Sequence, residues 1–351
     1  MKEVIKTLQG WLKVSAPIPG EFFEKVSDEP VPNHLKKWWF CLGGTPAYLF
    51  MIQVVSGILL TFYYVPEPGR AYDSVNRITY EISFGWIIRS VHKWSSQLMI
   101  IAVILHVFRI FFTGAYRKPR ELNWMIGCGL LFCTLGFGFT GYSLIYEQLS
   151  YWGATVAANI TQNVPVMGEF LARFIRGGDS VTDNTLTRFF IFHIALLPLV
   201  VTGLLVLHIT LIRLLGVTEF QFEEDKGKAD RHFPFFPNHF LMEVIIGMVL
   251  ALLLTFLVAF FPAGLGPPAD PFVTPEHIKP EWYFYFTFRW LKLTSLQVGV
   301  LGTGLAAMLL VFWPFIDRPL VKKYPDKSIS VWLGVVAILT LMVLTIWEAM
   351  V

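Results

Sequence analysis

Residues 92–106 read HKWSSQLMIIAVILH, and residues 193–208 read HIALLPLVVTGLLVLH. Each stretch has an apolar helical pattern with a histidine at either end, 14 residues apart in the first and 15 in the second. Such spacings return nearly to the same helix face, about 21–22 Å further along the axis. Because a histidine inside an apolar span needs a partner, the two stretches predict paired histidines at two depths of a helical bundle.

Composition places this bundle in a membrane. Hydrophobic residues make up 55% of the 351 residues and charged residues only 15%, whereas a soluble domain carries about 25% charged residues. Mean hydropathy is +0.57, the formal charge is only +3, and three cysteines could close at most one disulfide. These values exclude a soluble globule, a disordered chain, a disulfide scaffold and a nucleic-acid binder. They predict an all-α polytopic protein in contact with membrane lipid.

Seven stretches are long and apolar enough to cross a hydrocarbon layer, which takes about 20 residues. They are roughly Pro46–Val65, Ile87–Phe112, Trp124–Ile145, Phe189–Leu215, Phe240–Phe261, Val298–Ile316 and Val331–Trp347. The N-terminus and the connections after the second, fourth and sixth spans hold 17 Lys and Arg, against 8 in the other connections. The positive-inside rule therefore predicts a cytoplasmic N-terminus and an outer C-terminus.

Changes in composition divide the chain into three parts. Residues 1–217 form a predicted four-helix domain that begins with an interfacial helix at Met1–Val14. Residues 218–238 are a polar cytoplasmic linker, and residues 239–351 form a three-helix domain. This last part contains the outer loop Pro262–Leu296, whose many aromatic residues favour order and hence a function.

The four span histidines suit haem. Under the predicted topology His92 lies level with His193 near the outer surface, and His106 lies level with His208 near the inner surface. A single such histidine is more often a hydrogen-bonded bundle residue, but two opposed imidazoles fill both axial positions of a haem iron. Iron closed on both faces favours electron transfer, so the pattern predicts two haems stacked across the membrane.

Glycines repeat the same spacing. A porphyrin between helices needs room, and glycine provides it because it has no side chain. We assign Gly43 and Gly57 to the first helix, whose apolar span begins at Pro46, and Gly127 and Gly141 to the third, each pair 14 residues apart. Glycine is common in membrane helices for packing alone, so only the agreement of these spacings with the histidines supports haem.

At this point the chain resembles cytochrome b of the Rieske–cytochrome b (bc) complexes over nearly its whole length. The resemblance is closest to the cytochrome b6 branch, here fused to its three-helix subunit IV. The motifs that carry it are Phe40-Cys41-Leu42-Gly43-Gly44, Gly85-Trp86, Arg89-Ser90-Val91-His92, Leu105-His106-Val107-Phe108-Arg109, Lys118-Pro119-Arg120-Glu121-Leu122, Gly138–Leu144, Thr185-Leu186-Thr187-Arg188-Phe189 and Pro280-Glu281-Trp282-Tyr283. Residues 144–148 depart from the family, which usually has Leu-Pro-Trp followed by Asp or Gly and then Gln.

The resemblance implies the catalytic core of a quinol:cytochrome c oxidoreductase that translocates protons and acts only within its complex. It implies that His92 and His193 ligate an outer, low-potential haem and that His106 and His208 ligate an inner, high-potential one. Positions matching Arg89 and Arg109 neutralise haem propionates in the family, although snorkelling to the interface would also explain both arginines. The expected partners are a Rieske iron–sulfur protein, a c-type cytochrome subunit or soluble cytochrome c, and a second copy in a homodimer.

The same resemblance implies two quinone sites. At the outer site, Tyr142, Glu281 and Tyr283 match the quinol pocket, and Glu281 is the expected proton acceptor; helix capping is its alternative role. At the inner site, Arg213, His239 and Glu243 fall where family members contact quinone or guide protons, although ordinary interface charge explains them almost as well.

Cys41 matches the cysteine that, in the b6 branch, forms a single thioether to a further c-type haem. An inert buried thiol is the alternative, as expected for Cys128 and Cys133. No Cys/His pattern in the chain could hold an iron–sulfur cluster, so the cluster must belong to a partner.

Two other functions remain open from the sequence. One is a haem b membrane anchor of a dehydrogenase or hydrogenase, which would lack the Glu281 motif. The other is a haem-free transporter in which the histidines relay protons. A fused chain without a signal-peptide pattern is expected in a bacterial inner membrane.

Overall fold

The computed structural model describes residues 30–219, 232–325 and 328–351, and these ranges are mostly helical. The predicted interfacial helix at Met1–Val14 and most of the predicted linker lie outside the described residues. Within the described ranges, six helical segments are long and apolar enough to cross a membrane. They are Gly44–Thr61, Gly85–Phe112, Glu121–Ser143, Asp183–Leu215, Phe235–Phe260 and Ile329–Met350.

The helices and strands follow in this order: β1 (Pro30–Pro32), α1 (Gly44–Thr61), α2 (Pro68–Tyr80), α3 (Gly85–Phe112), α4 (Glu121–Ser143), α5 (Gln148–Gln162), α6 (Gly168–Arg176), α7 (Asp183–Ile191), α8 (Leu197–Leu215), β2 (His232–Pro234), α9 (Phe240–Phe260), α10 (Tyr285–Leu293), α11 (Leu296–Val311), α12 (Trp313–Lys323) and α13 (Ile329–Met350). A π turn at Phe192–Leu196 joins α7 to α8, so these two helices form one span.

The seventh candidate span is bent. α11 and α12 meet the length and hydropathy criteria only together, and their axes differ by 65°. Pro314 occupies the first turn of α12, where its missing N–H is harmless, and the break falls just before it. The structure therefore divides the predicted span Val298–Ile316 into two helices. Beyond the bend, buried Asp317 accepts a hydrogen bond from Arg117 Nε at 2.7 Å.

The chain forms two compact units, of which the larger comprises residues 45–217 and 252–351. Its centre is an apolar cluster of α1, α3 and α4 side chains: Leu49, Met99, Ala102, Val103 and Leu131. A second cluster lies where α2, α5 and α7 meet the end of α4, and comprises Ala71, Leu144, Ala154, Leu186 and Phe189. These clusters fix the helices that carry the four span histidines.

The smaller unit comprises residues 1–44 and 218–251. Within its described part, β1 pairs antiparallel with β2, with Val31 opposite Phe233. Val31, Leu35, Phe40 and Phe233 form its buried cluster. This packing places Cys41, which follows Phe40 directly, in a buried position.

A buried charge cluster joins α10 to the end of α13. The side chain of Glu348 is 0% exposed. Its Oε1 lies 2.6 Å from Lys292 Nζ, and its Oε2 lies 3.6 Å from an Arg289 guanidinium nitrogen. Lys279 Nζ also donates to the Glu348 backbone carbonyl at 3.2 Å. The carboxylate therefore neutralises two cations on α10 where water does not reach it.

Replacing Glu348 with Ala should destabilise the protein by about 3–5 kcal/mol, because it leaves Arg289 and Lys292 without their counter-charge. Thermal unfolding of the purified complex measures the effect as a lower Tm. The matched control is Glu169→Gln, which removes an exposed partner of Arg173 and should change stability by under about 1 kcal/mol. Equal Tm values for the two variants would contradict this role of Glu348.

Candidate functional site

The histidines nearest the predicted outer surface face each other. His92 lies on α3 and His193 in the π turn between α7 and α8, and their ring centroids are 6.2 Å apart. Both rings pack against helix backbone at a glycine. A Cβ at Gly57 would lie 3.2 Å from His92 Cε1, and one at Gly141 would lie 2.6 Å from His193 Cε1.

The π turn accounts for the longer histidine spacing in the span that α7 and α8 form together. A π turn bonds residue i to i+5 and so accommodates one residue more than an α turn. His193 is the second residue of this turn, and His208 follows on α8. The extra residue between them is absorbed in the turn, so a spacing of 15 on this span matches a spacing of 14 on α3.

Each outer ring meets a hydroxyl group. His92 Nδ1 lies 2.9 Å from Ser56 Oγ, and His193 Nδ1 lies 3.0 Å from Thr140 Oγ1. Each hydroxyl residue directly precedes the glycine that the same ring packs against. Engaging Nδ1 holds an imidazole in a fixed orientation and leaves Nε2 for a metal.

The inner pair has a different environment. His106 and His208 interact electrostatically with each other, and a Cβ at Gly127 would lie 3.4 Å from His208 Cε1. The Nδ1 atom of each ring is buried and makes no side-chain hydrogen bond within the described residues, although the ring of His208 interacts with the Asn123 carbonyl. Half-buried imidazoles that face each other in pairs, three of the four beside glycine backbone, fit a bis-histidine haem at both levels.

Gly43 differs from the other three predicted haem-site glycines. It lies in the turn before α1, which begins at Gly44. The expectation that Gly43 belongs to the first helix is therefore corrected.

The arginines that flank the histidines have distinct surroundings. Arg89 is buried and donates to the carbonyls of Ala263 and Gly264 at 2.8 and 2.9 Å, and to Thr79 Oγ1 at 3.0 Å. It therefore holds the start of the loop between α9 and α10. Arg109 lies in the last turn of α3 and interacts electrostatically with His106. The role of either arginine toward haem propionates stays a prediction.

Glu281 lies in that loop, just before a 3₁₀ turn at Trp282–Phe284. Gln97 of α3 contacts both Glu281 and this turn. Its Nε2 atom lies 3.4 Å from Glu281 Oε2, and its Oε1 atom accepts a hydrogen bond from Trp282 Nε1 at 2.6 Å. Burial raises the pKa of the Glu281 carboxyl above its ordinary value, although nearby Lys93 opposes the shift. Sequence reasoning missed Gln97, whose only signal was a polar residue five positions after His92.

Two tyrosines accompany this carboxyl group. Tyr283 is 4% exposed and packs on α4, where a Cβ at Gly138 would lie 2.5 Å from its hydroxyl oxygen. Burial and the charge of Glu281 raise the pKa of Tyr283 above its ordinary value. Tyr142 of α4 interacts electrostatically with Glu281 as well. The structure thus brings together Tyr142, Glu281 and Tyr283.

The segment after α4 holds the outer loop by backbone pairing. Glu147 Oε2 accepts from the Gly266 N–H at 2.7 Å, and the Gln148 N–H donates to the Pro267 carbonyl at 2.9 Å. Tyr146 takes a left-handed conformation, φ 57°, at the position where the family usually has Trp. Glu147 is a second carboxylate near Glu281, and sequence reasoning did not single it out.

A third cluster lies in the smaller unit. Ligand atoms of Cys41, His239 and Glu243 all fall within 4.8 Å of one another. Cys41 Sγ donates to the Leu35 carbonyl at 3.3 Å, and His239 Nε2 lies 3.6 Å from Glu243 Oε1. A Cβ at Gly44 would lie 2.9 Å from Glu243 Oε2, so glycine there lets the carboxylate approach. Arg213 lies in the last turn of α8, in the larger unit.

The chain matches known proteins along most of its length. The family model described as "Cytochrome b/b6/petB" matches residues 26–216, and the one described as "Cytochrome b(C-terminal)/b6/petD" matches residues 268–351. Cytochrome b6 of Heliobacterium modesticaldum is 45% identical over 209 residues, which are 60% of this chain and 98% of that protein.

Two longer matches extend into the C-terminal helices. The cytochrome bc complex cytochrome b subunit of Chlorobaculum thiosulfatiphilum is 37% identical over 317 residues, covering 88% of this chain and 73% of that protein. A solved structure described as a hyperthermophilic respiratory Complex III has a chain that superposes with a TM-score of 0.84 at 28% identity. That match covers 97% of this chain and 91% of the other. The chain belongs to the cytochrome b/b6 family.

Proposed function

We propose that this chain is the haem-bearing membrane subunit of a quinol:cytochrome c oxidoreductase and oxidises quinol near the outer surface. The observation that carries the proposal is the placement of both features on α3. His92 lies in the glycine-lined outer pair, and Gln97, five residues later, contacts Glu281 and Trp282. A membrane anchor without quinol oxidation would not require a half-buried carboxylate held by the helix that carries His92.

Glu281 is the group that accepts a proton from bound quinol. Its burial raises the pKa of the carboxyl, and a pKa nearer the working pH suits reversible proton carriage. Gln97 contacts the carboxylate and is itself held by Trp282, while Tyr142 and Tyr283 interact electrostatically with Glu281. The bonds Glu147–Gly266 and Gln148–Pro267 keep the outer loop in place.

The histidine pairs would hold two b haems, His92 with His193 and His106 with His208. When bound, these haems supply an electron path between the outer quinol site and an inner quinone site. The first electron from quinol goes to a Rieske iron–sulfur partner, and from there to a c-type cytochrome subunit or soluble cytochrome c. Proton release outside and uptake inside make the reaction a proton translocation.

Several further features belong to this proposal. The N-terminus faces the cytoplasm of a bacterial inner membrane, and two copies form a homodimer. Residues 1–217 act as the b6-like haem domain and residues 239–351 as the subunit IV-like domain. His239 and Glu243 of the smaller unit are proposed to serve the inner quinone site, and Arg213 of the larger unit is proposed separately as a contact for quinone or protons. The histidine in contact with Glu243 supports a proton route there.

Cys41 would hold a further haem by a thioether. The thioether would form by addition of the thiol S–H across a haem vinyl group, with the sulfur on one vinyl carbon, the hydrogen on the other, and no leaving group. The convergence of Cys41 with His239 and Glu243 supports this site, since it places ligand-type atoms beside the thiol.

Replacing Cys41 with Ala should remove all haem that stays with the protein after acid–acetone extraction, because only a covalent haem resists extraction. Pyridine haemochrome spectra of the extracted protein measure it. Cys133→Ala is the matched control, since it changes a half-buried thiol on α4 and should leave the covalent haem in place. If the unchanged protein retained no haem after extraction, the proposed thioether at Cys41 would be wrong.

Redox difference spectra of the purified complex test the main proposal. We expect two b-type components that quinol reduces, together with quinol-dependent reduction of cytochrome c. If the spectra showed no haem band, the result would favour the alternative function as a haem-free transporter. Haem without quinol:cytochrome c activity in the intact complex would favour the dehydrogenase or hydrogenase anchor.

A further inference from the structure

The two outer histidines share a hydrogen-bond arrangement that fixes which ring nitrogen carries the proton. Ser56 Oγ lies 2.9 Å from His92 Nδ1 and donates to the Ile52 carbonyl at 2.6 Å. Thr140 Oγ1 lies 3.0 Å from His193 Nδ1 and donates to the Gly136 carbonyl at 2.8 Å. A hydroxyl has one proton to donate. Because each proton already goes to a carbonyl four residues back, each hydroxyl oxygen accepts from the histidine.

Backbone carbonyls lead independently to the same assignment. The ring of His92 also interacts with the Gln53 carbonyl, and the ring of His193 with the Phe137 carbonyl. A carbonyl can only accept a hydrogen bond. Both rings therefore carry their proton on Nδ1 and keep the Nε2 lone pair for a metal.

The inner level lacks the hydroxyl. At the outer level, His193 packs against Gly141, and the residue before that glycine is Thr140. At the inner level, His208 packs against Gly127, and the residue before that glycine is Ile126. Ile126 is buried and offers no side-chain acceptor, so the ring of His208 meets only the Asn123 carbonyl, whereas the ring of His193 meets both the Phe137 carbonyl and the Thr140 hydroxyl. The two levels thus differ by a side-chain acceptor at one equivalent position.

We infer that Ser56 and Thr140 are positioning residues that set the redox potential of the outer haem below that of the inner haem. The inference deepens the proposed function and rests on haem being bound by the two histidine pairs. An acceptor on Nδ1–H makes the imidazole a stronger donor to iron. Stronger donation stabilises ferric over ferrous iron, so the potential at that level falls. Electrons then move from the outer level toward the inner one.

Thr140→Val tests this inference in the intact complex, since valine keeps the shape and removes the acceptor. A hydrogen bond to a charged group contributes about 1 kcal/mol more stabilisation than one between neutral groups. We therefore expect the ferric-to-ferrous equilibrium of the outer haem to shift about fivefold, which is a rise of about 40 mV in its midpoint at 59 mV per tenfold. The inner midpoint stays unchanged. Thr140→Ser, which keeps the hydroxyl, retains the midpoint of the unchanged protein.

The reciprocal variant is Ile126→Thr, which places a hydroxyl before Gly127. We expect the inner midpoint to fall while the outer one stays, as measured by potentiometric titration of the haem absorbance. Full haem content with both midpoints unmoved in Thr140→Val and Ile126→Thr would overturn the inference and leave the proposed function intact. The absence of b haem from the unchanged complex would instead overturn the proposed function itself.

Discussion

Replacing Glu281 with Gln should slow quinol oxidation by about 100-fold, because general-base catalysis contributes at least that much and an amide cannot accept the proton. The substitution preserves size and the ability to hydrogen-bond, so Gln97 and Trp282 keep their positions. Haem content should be unchanged. Steady-state reduction of cytochrome c by quinol measures the rate, and pyridine haemochrome measures the haem.

The pH dependence of the rate should identify the carboxyl. Burial raises the pKa of Glu281 above its ordinary value near 4.5. Below that raised pKa the group is already protonated and cannot accept a proton, so the rate falls as pH falls through it. Above it, the carboxylate is available and the rate reaches a plateau. Glu281→Gln should lose this acid limb while the unchanged protein keeps it.

Glu276→Gln is the matched control for Glu281→Gln. Glu276 lies five residues earlier in the same loop, and its side chain is exposed. The control should retain both the rate and the acid limb. Unchanged turnover in Glu281→Gln would remove this carboxyl group from the mechanism, whereas loss of haem in that variant would indicate a structural role.

The sequence predicted the membrane helices well because their signal is local. Length and hydropathy alone define an apolar span, so the predicted bounds for the second span, Ile87–Phe112, nearly match α3, Gly85–Phe112. The family resemblance, which rests on motifs spread along the chain, is confirmed by the matching family models. The bend just before Pro314 was missed because the prediction followed hydropathy, which continues across the bend, and did not weigh the proline as a signal of a helix break.

The contacts around the site could not be predicted, because they join residues far apart in the sequence. Arg89 contacts Ala263 and Gly264, more than 170 positions away, and no local pattern encodes that choice. Gln97 reaches Glu281 in the same way. Glu147 lies in the segment that departs from the family, and it accepts a hydrogen bond from Gly266, 119 positions away, for which the sequence holds no local signal.

The histidine spacings could be read from the sequence, but their physical cause could not. The difference between 14 and 15 residues was readable in the sequence, and it distinguished the b6 branch. Its physical cause was not readable, because a π turn differs from an α turn by one hydrogen-bond step and has no residue signature of its own. The structure locates the turn at Phe192–Leu196, where it includes His193.

Replacing His193 with Leu should abolish the outer haem and leave the inner one. Leucine fills a similar apolar space but offers no ligand, and a single remaining axial imidazole holds haem iron less firmly than two. The b haem that acid–acetone extracts should fall to about half, with the low-potential component missing from the redox titration. Quinol oxidation should fall close to background, since the second electron has no acceptor at the outer level.

The pairing of the histidines makes this result specific. Loss of His193 and loss of His92 should remove the same haem, because their rings face each other at 6.2 Å, whereas His208→Leu should remove the other. His277→Leu is the control, since that histidine is exposed in the outer loop and should leave both haems in place. If His92→Leu and His193→Leu lost different spectral components, the two rings would serve different irons, and the assignment of one haem to each depth of the bundle would be wrong.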